Sequence, residues 1–173
     1  MDKKIKNIIL IIAFIIVTII TIFIVINNNK IKIKEYSNNY YSFKYDTTWN
    51  LSEKNDELTL THKKNTAKIK IKNKKLDDYL IDISLKDMLS DIKTLINEQN
   101  PDYQLINFKE NNNNYDSYSF LYENDKEQAL VNVYKKDSSL IILYYVADQN
   151  YFDIILDSAD VIINSLNIKN ITE

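Results

Sequence analysis

The 173-residue chain has no glycine, no cysteine and no arginine, and it contains one proline and one histidine. Without glycine, it cannot form the phosphate-binding loops of nucleotide-binding proteins or the nucleophile elbow of hydrolases. The absence of cysteine excludes disulfides and thiolate chemistry, and the absence of arginine excludes bidentate clamps on phosphate or carboxylate groups. Left-handed turn conformations, which glycine adopts most readily, are therefore expected at asparagine.

The charge is divided unevenly along the chain. Residues 1–35 contain six lysines and two acidic residues, a net charge of +4, whereas residues 36–173 contain sixteen lysines and twenty-two acidic residues, a net charge of −6. An acidic domain without arginine is poorly suited to contact the phosphate backbone of DNA or RNA. We therefore expect no nucleic-acid partner.

One long apolar run, Ile8–Ile26, contains no charge, glycine or proline. As a helix it is long enough to cross a bilayer core of roughly 30 Å, so we predict a transmembrane anchor in contact with the lipid bilayer. A cleavable signal peptide is the alternative. Its apolar core is usually shorter, about 7–15 residues, and ends in a small-residue cleavage site that Ile24–Asn27 does not offer.

The predicted anchor divides the chain into four parts. Residues 1–7 form a basic tail, residues 8–26 the anchor, residues 27–37 an Asn- and Lys-rich linker, and residues 38–173 a globular domain. Lysines flank both ends of the anchor, so the positive-inside count is nearly balanced. We expect a single-pass cell-membrane protein with a cytoplasmic N-terminus and an extracytoplasmic domain, which is the ordinary arrangement for a short basic tail before a signal anchor.

The length of residues 38–173 suits one compact domain. Alternation of apolar and polar side chains, interrupted by Asn- and Asp-rich turns, indicates β-strands. The predicted strands are Tyr40–Asp46, Leu58–Thr61, Ala67–Lys72, Asp102–Glu110, Tyr115–Tyr122 and Gln128–Lys135.

Two amphipathic helices are predicted at Ser84–Gln99 and Asn150–Leu166, because their apolar residues recur with helical spacing. Between them, Leu140–Val146 is apolar at both odd- and even-numbered positions, which point to opposite faces of a strand. This pattern is typical of a strand that is covered on both faces. We therefore predict an α+β fold, an α/β/α sandwich whose two helices cover opposite faces of one central antiparallel sheet, in addition to the N-terminal transmembrane helix.

The segment Tyr41–Trp49 leads from an aromatic-rich strand into a tryptophan, and the last predicted helix closes with Ile162–Leu166. With the order of a mid-chain helix, a meander, an apolar strand and a C-terminal helix, this resembles PsbP-like domains over residues 38–168. Asp46 or Thr47 stands where that family commonly has proline. The resemblance implies an α/β/α sandwich that works as an extracytoplasmic accessory or binding domain.

Three carboxylates of the last helix form the main candidate site. Asp153, Asp157 and Asp160 follow i, i+4, i+7 spacing, which places them on one stripe. Nearby lysines, a cation or a basic partner would neutralise the stripe, unless it only faces water. His62 has no second histidine and no cysteine to complete a metal site, and we predict no cofactor.

A row of lysines, Lys68, Lys70 and Lys72, alternates with apolar residues on one predicted strand. Such a row can bind anions or a membrane surface. It can equally be a solvated strand face whose lysines prevent aggregation at a sheet edge.

The polar residues include no recognisable nucleophile–base pair, metal-ligand set or phosphate loop, so we expect a protein that is not an enzyme. The expected function is that of a membrane-tethered extracytoplasmic binding or accessory domain that acts through protein–protein interaction. The alternative is an extracytoplasmic domain that binds a small ligand or cation in a pocket between the sheet and one helix.

Overall fold

The computed structural model describes residues 15–21, 31–54, 57–111 and 116–169. The chain divides into two compact units, Met1–Lys32 and Ile33–Glu173. In the first unit, residues 15–21 are helical and exposed. No helix within the described ranges combines the length and apolar character needed to cross a bilayer. The rest of the predicted anchor and the basic tail 1–7 lie outside the described residues.

The second unit contains two antiparallel sheets and three helices among its described residues. The strands are β1 (Ile33–Ser37), β2 (Tyr41–Asp46), β3 (Trp49–Lys54), β4 (Glu57–His62), β5 (Lys68–Lys75), β6 (Gln104–Glu110), β7 (Asp116–Glu123), β8 (Glu127–Lys136), β9 (Ser139–Asp148) and β10 (Asn167–Ile168). The helices are α1 (Asp78–Ile81), α2 (Leu89–Gln99) and α3 (Phe152–Ser165).

The large sheet has seven strands in the order β3-β4-β5-β9-β8-β7-β6, and the small sheet has the order β1-β2-β10. The prediction of one central sheet is therefore wrong for the first aromatic strand, because β2 pairs with β1 and β10 instead. Strand β1 comes from residues 33–37 of the predicted linker. Tyr36 lies opposite Phe43, with ring centroids 5.3 Å apart, so aromatic packing fixes this second sheet.

Strand β9 is the centre of the domain, and its residues Leu140–Tyr145 are all buried. Ile141, Leu143 and Tyr145 belong to the core cluster of α3, while Leu140, Ile142 and Tyr144 belong to that of α2. The Tyr145 hydroxyl also donates to the Phe152 carbonyl oxygen at 2.8 Å, which ties β9 to the start of α3. The prediction of helices on opposite faces is confirmed.

Each helical layer covers a different half of the large sheet. The α3 core includes side chains of β3, β4 and β5, whereas the α2 core includes side chains of β7 and β8. As a result, Lys68 and Lys70 of β5 remain exposed on one face. On the other face, a groove remains between α3 and strands β6–β8.

The mid-chain helix begins later than predicted, at Leu89 rather than at Ser84. Ser84 closes a turn instead, because its hydroxyl donates to the Asp87 carboxylate at 2.7 Å. The N–H of Leu85 donates to Asp116 Oδ2 at 2.7 Å, which holds this turn against β7. The short helix α1 was not predicted, and Leu95, which helical spacing places on the apolar face, is 36% exposed.

In the tight turn between β8 and β9, the left-handed position is occupied by an aspartate, and not by an asparagine as expected. Asp137 has a φ of 50°, the one positive value at a non-glycine residue among those described. Aspartate tolerates this conformation because its short polar side chain can bond locally.

Candidate functional site

A groove between α3 and strands β6–β8 is one of the concave features of the described domain. It consists of two adjoining cavities of about 730 Å³ and 390 Å³, which share Lys109, Ser119, Leu130 and Asp160. The larger cavity is lined by Lys109, Glu110, Asn111, Ser119, Leu130, Asn132, Tyr134, Asp160, Ile163, Asn164, Ser165, Leu166 and Asn167.

Sheet register brings polar side chains of three strands together on the floor of the groove. Lys109 of β6 lies opposite Ser119 of β7, which lies opposite Asn132 of β8. The Ser119 hydroxyl accepts from Asn111 Nδ2 at 2.9 Å and donates to Asn132 Oδ1. These contacts fix the carboxamide of Asn132 from its oxygen side.

The amide nitrogen of Asn132 has no comparable contact. Asn132 is 3% exposed, and its Nδ2 has no hydrogen-bond partner among the described residues. A buried donor left without a partner costs about 1–3 kcal/mol of folding free energy. Because cavity-lining residues that carry such a cost often serve binding, Asn132 marks the groove as the candidate ligand site.

The groove is lined by one lysine, Lys109, and by three carboxylates, of which Asp160 is partly buried and Glu110 and Asp153 are exposed. Burial raises the pKa of Asp160, the neighbouring Asp157 raises it further, and Lys109 acts in the opposite direction. Burial, with a contribution from Asp160, also raises the pKa of the Tyr134 phenol, so Tyr134 is a neutral side chain at physiological pH.

The predicted acidic stripe does not converge on one point. Asp153 and Asp160 both line the smaller cavity, while Asp157 is exposed on the helix surface. Within the described part of the chain, no group of three or more acidic, histidine or cysteine side chains is arranged to hold a metal ion. Of the three carboxylates, Asp160 is the one that faces the floor residues of the larger cavity.

His62 lies at the end of β4, where its ring contacts Trp49 edge-on with centroids 5.2 Å apart. Trp49 Nε1 donates to Ser158 Oγ at 2.8 Å, and Ser158 donates to Asp46 Oδ2 at 2.6 Å. The N–H of Thr48 donates to the other oxygen of Asp46 at 2.7 Å. This network ties the β2–β3 turn to α3, and it occupies the Ser158 hydroxyl, so Ser158 has no free proton to give to a base.

The lysine row lies inside the large sheet, because β5 pairs with both β4 and β9. Glu57 contacts Lys70 at 3.1 Å and Lys72 at 3.5 Å. The hydrogen bond from Lys70 is the main cause of a lowered pKa at Glu57. The row is therefore a solvent-facing, partly charge-paired surface, and it does not protect a sheet edge.

Strand β6 forms one edge of the large sheet, and all seven of its residues are exposed. Leu105, Ile106 and Phe108 are 38%, 47% and 48% exposed. Lys93 of α2 lies 3.7 Å from the centre of the Phe108 ring, a cation–π contact that covers one face of that ring. The pairing with β7 shifts register between Leu105 and Asn107, so Ile106 lies at a bulge.

Sequence reasoning offered a pocket between the sheet and one helix as its alternative, but it did not identify the residues that line the groove, although one signal for them was present. Asn132 interrupts the apolar run Ala129–Val133 in the middle of a strand. Asparagine is depleted in strands and costs free energy when buried, so its presence there indicates a special role. Its partner Ser119 lies directly opposite, but that register is set by tertiary structure.

The fold is similar to solved structures of the PsbP type. Cyanobacterial PsbP (CyanoP) from Synechocystis sp. PCC 6803 matches 79% of this chain and 92% of its own, with a TM-score of 0.61 and 16% identity. LpqN of Mycobacterium tuberculosis, described as involved in cell envelope biogenesis, matches 83% of this chain and 94% of its own, with a TM-score of 0.53 and 11% identity. No family model and no curated protein matches the sequence. The predicted PsbP-like resemblance is thus confirmed at the level of fold.

Proposed function

We propose that this protein is a non-catalytic binding or accessory domain that acts through protein–protein interaction, with β6 as its docking strand. The observation that carries the proposal is the exposure of all seven residues of β6 at one edge of the large sheet. An edge strand presents unpaired backbone donors and acceptors, to which an extended segment of another chain can add as a further strand.

Several features distinguish β6 from a protected edge. Natural edges are usually blunted by proline, by charges or by bulges. Strand β6 has no proline, and although it carries Lys109, Glu110 and a bulge at Ile106, its Leu105, Ile106 and Phe108 expose apolar surface. Such side chains give a docked strand apolar contact in addition to backbone hydrogen bonds.

The charge of the domain defines the kind of partner. Residues 36–173 carry a net charge of −6, so a segment with apolar and basic side chains is the complementary partner. If residues 8–26 anchor the chain with the domain outside the cell membrane, the domain is concentrated near membrane neighbours. The description of LpqN as involved in cell envelope biogenesis supports a role at the cell envelope.

The polar clusters support a non-catalytic role. The network around Asp46 and Ser158 joins a turn to a helix, and the Ser119–Asn132 pair contains no base that could activate a nucleophile. Both clusters are arranged for hydrogen bonding rather than for proton transfer.

The proposal is tested by crosslinking in whole cells, followed by affinity purification and mass spectrometry. Ile106→Lys places a charge at the exposed bulge of β6 and should abolish at least one reproducible protein crosslink. Asn50→Lys, an exposed position on the opposite edge strand β3, is the matched control and should leave that crosslink unchanged. If the crosslinked proteins are the same for both variants and the unaltered chain, β6 is not the docking strand.

A further inference from the structure

We propose that one face of strands β3, β4 and β5 is a docking surface for a bilayer that contains anionic lipids. This lysine face is formed by the side chains of the three strands that point to the same side of the sheet as α2. Its charged members are five lysines and one glutamate, a net charge of +4: Lys54, Lys68, Lys70, Lys72, Lys74 and Glu57. The surface is separate from the docking strand β6, which forms the opposite edge of the same sheet.

Sheet register places these charges on one side of the sheet. Lys54 of β3 lies opposite Glu57 of β4, and Glu57 lies opposite Lys72 of β5. Residues directly opposite each other on paired strands share a face, and alternate residues along a strand share it too. On the next strand, β9, Lys72 lies opposite Ile142, which belongs to the core of α2. The lysine face is therefore the part of that side of the sheet to which the α2 core does not extend.

The charge of the lysine face is accessible and only partly neutralised. Four of its five lysines are exposed, and Lys72 is half-buried. Glu57 contacts Lys70 at 3.1 Å and Lys72 at 3.5 Å, but one carboxylate cannot balance five ammonium groups. The positive charge is concentrated here although residues 36–173 together carry a net charge of −6. An anionic surface is the electrostatically complementary partner.

The composition of the lysine face favours lipid headgroups over a protein partner. Among the described residues of β3, β4 and β5, no large apolar side chain is exposed. Protein interfaces are enriched in aromatic residues and arginine and depleted in lysine, and this chain contains no arginine. Lysine carries a compact, hydrated charge on a flexible stem, which suits headgroups whose positions vary. Its uncharged polar neighbours on this face are Asn50, Ser52, Thr59 and Thr61.

The predicted anchor would keep a bilayer within reach of this face. Each lysine close to an anionic membrane strengthens the association by about fivefold. If residues 8–26 anchor the chain, the domain is held near the lipid at a high effective concentration, so a weak contact is sufficient for docking. Strand β6 would remain accessible to a protein partner, because three strands separate it from β5.

The test uses the full chain in nanodiscs of phosphatidylcholine alone, or of equal parts phosphatidylcholine and phosphatidylglycerol. Because the natural chain has no cysteine, Ser52→Cys places a single fluorophore on the lysine face. A fixed fraction of the lipids carries a headgroup nitroxide, which quenches a fluorophore at short range. The label should be quenched more strongly in the anionic discs, and 1 M salt, where the Debye length is about 3 Å, should abolish the difference. A control label at Asp125→Cys, in the turn between β7 and β8, should show no such difference.

Two double variants, each combined with Ser52→Cys, assign the docking to the lysine face. Lys68→Gln with Lys70→Gln removes two exposed charges from it and should lower the ratio of docked to undocked protein by about thirtyfold. Lys86→Gln with Lys126→Gln is the matched control, since it removes two exposed lysines from other parts of the domain and should leave the ratio unchanged. The quenched and unquenched components of the fluorescence lifetime give the ratio, and circular dichroism verifies that both variants are folded.

Equal quenching in the two kinds of nanodisc, or quenching that persists in 1 M salt, would overturn the proposal. An equal loss of docking in the two double variants would also overturn it, because the net charge of the chain would then be the cause. A face that binds an acidic protein in place of lipid would give no anionic-lipid-dependent quenching, which is again a negative result. The Ile106→Lys crosslinking experiment is independent of these outcomes, so failure of the docking strand and failure of the lipid surface can be told apart.

Discussion

At the scale of single residues, the polar side chains inside the domain have two different roles. Asp46 has three donors around it from Thr48 and Ser158, and this network ties the turn between β2 and β3 to α3. Asn132, by contrast, lines a cavity, and its buried Nδ2 has no hydrogen-bond partner among the described residues. A buried polar group without a partner needs a separate explanation, and Asn132 carries one of five such atoms among the described residues.

Asp160 gives a prediction about the pH dependence of stability. Its pKa is raised in the folded state from 3.8, mainly by burial, so the folded protein binds this proton more tightly than the unfolded chain. The ionised carboxylate therefore destabilises the folded protein at pH values above its raised folded-state pKa. This destabilisation disappears as the pH falls below about 3.8, the ordinary pKa of the group.

The variant Asp160→Asn should consequently melt at a higher temperature than the unaltered protein at pH 7, and the difference should shrink as the pH is lowered towards 4. Asp153→Asn, on an exposed position of the same helix, should change the melting temperature less. Thermal melts of the three proteins at several pH values check this. A difference for Asp160→Asn that grows on acidification would contradict the proposed cause.

At the scale of elements, the sequence predicts those helices and strands whose formation is determined by the local hydrophobic pattern. Strands β2 and β4–β9 and the helix α3 are recovered because hydrophobic periodicity marks them directly. The run of apolar residues on both faces of β9 also predicts correctly that both faces of the sheet are covered. These are the parts of the fold in which local pattern and tertiary structure agree.

Elements that depend on distant partners were not recoverable. Strand β1 looks like a linker because its side chains are mostly exposed, and it becomes a strand by pairing with β2. The start of α2 moves to Leu89 because Asp116, far along the chain, binds the N–H of Leu85. The groove could not be placed either, since the register that aligns Ser119 with Asn132 is a property of the assembled sheet.

The two-sided burial of β9 gives a direct prediction at this scale. Ile142→Asp and Leu143→Asp place a charge in the α2 core and in the α3 core respectively. Each should lower the free energy of unfolding by several kcal/mol, enough to unfold the domain, because a buried charge without a partner is strongly unfavourable.

Circular dichroism and urea titration of the two variants measure this effect. Lys68→Asp on the neighbouring strand β5 is the control, and it should remain folded because Lys68 is exposed. Tolerance of aspartate at either 142 or 143 would mean that one face of β9 is open to water, and the three-layer arrangement would then be wrong.

At the scale of the whole molecule, a predicted membrane anchor precedes the domain that carries the proposed binding surfaces. The domain is acidic, its exposed edge lies at β6, and its lysine face lies on β3–β5. The proposed docking of a partner on β6 requires the domain to lie on the side of the membrane where that partner is found. The orientation of residues 8–26 is therefore the assumption on which the function at the cell envelope depends.

Cysteine-accessibility labelling tests that central claim most directly, because the natural chain contains no cysteine and every label reports the introduced position. Asp125→Cys lies in the exposed turn between β7 and β8, and Asp2→Cys lies in the basic tail. In intact cells, a membrane-impermeant maleimide should label position 125 and should label position 2 of the full-length chain after lysis alone. Labelling of position 2 in intact cells, or protection of position 125 until lysis, would contradict the proposed topology, and a mature chain without residue 2 would contradict the uncleaved anchor.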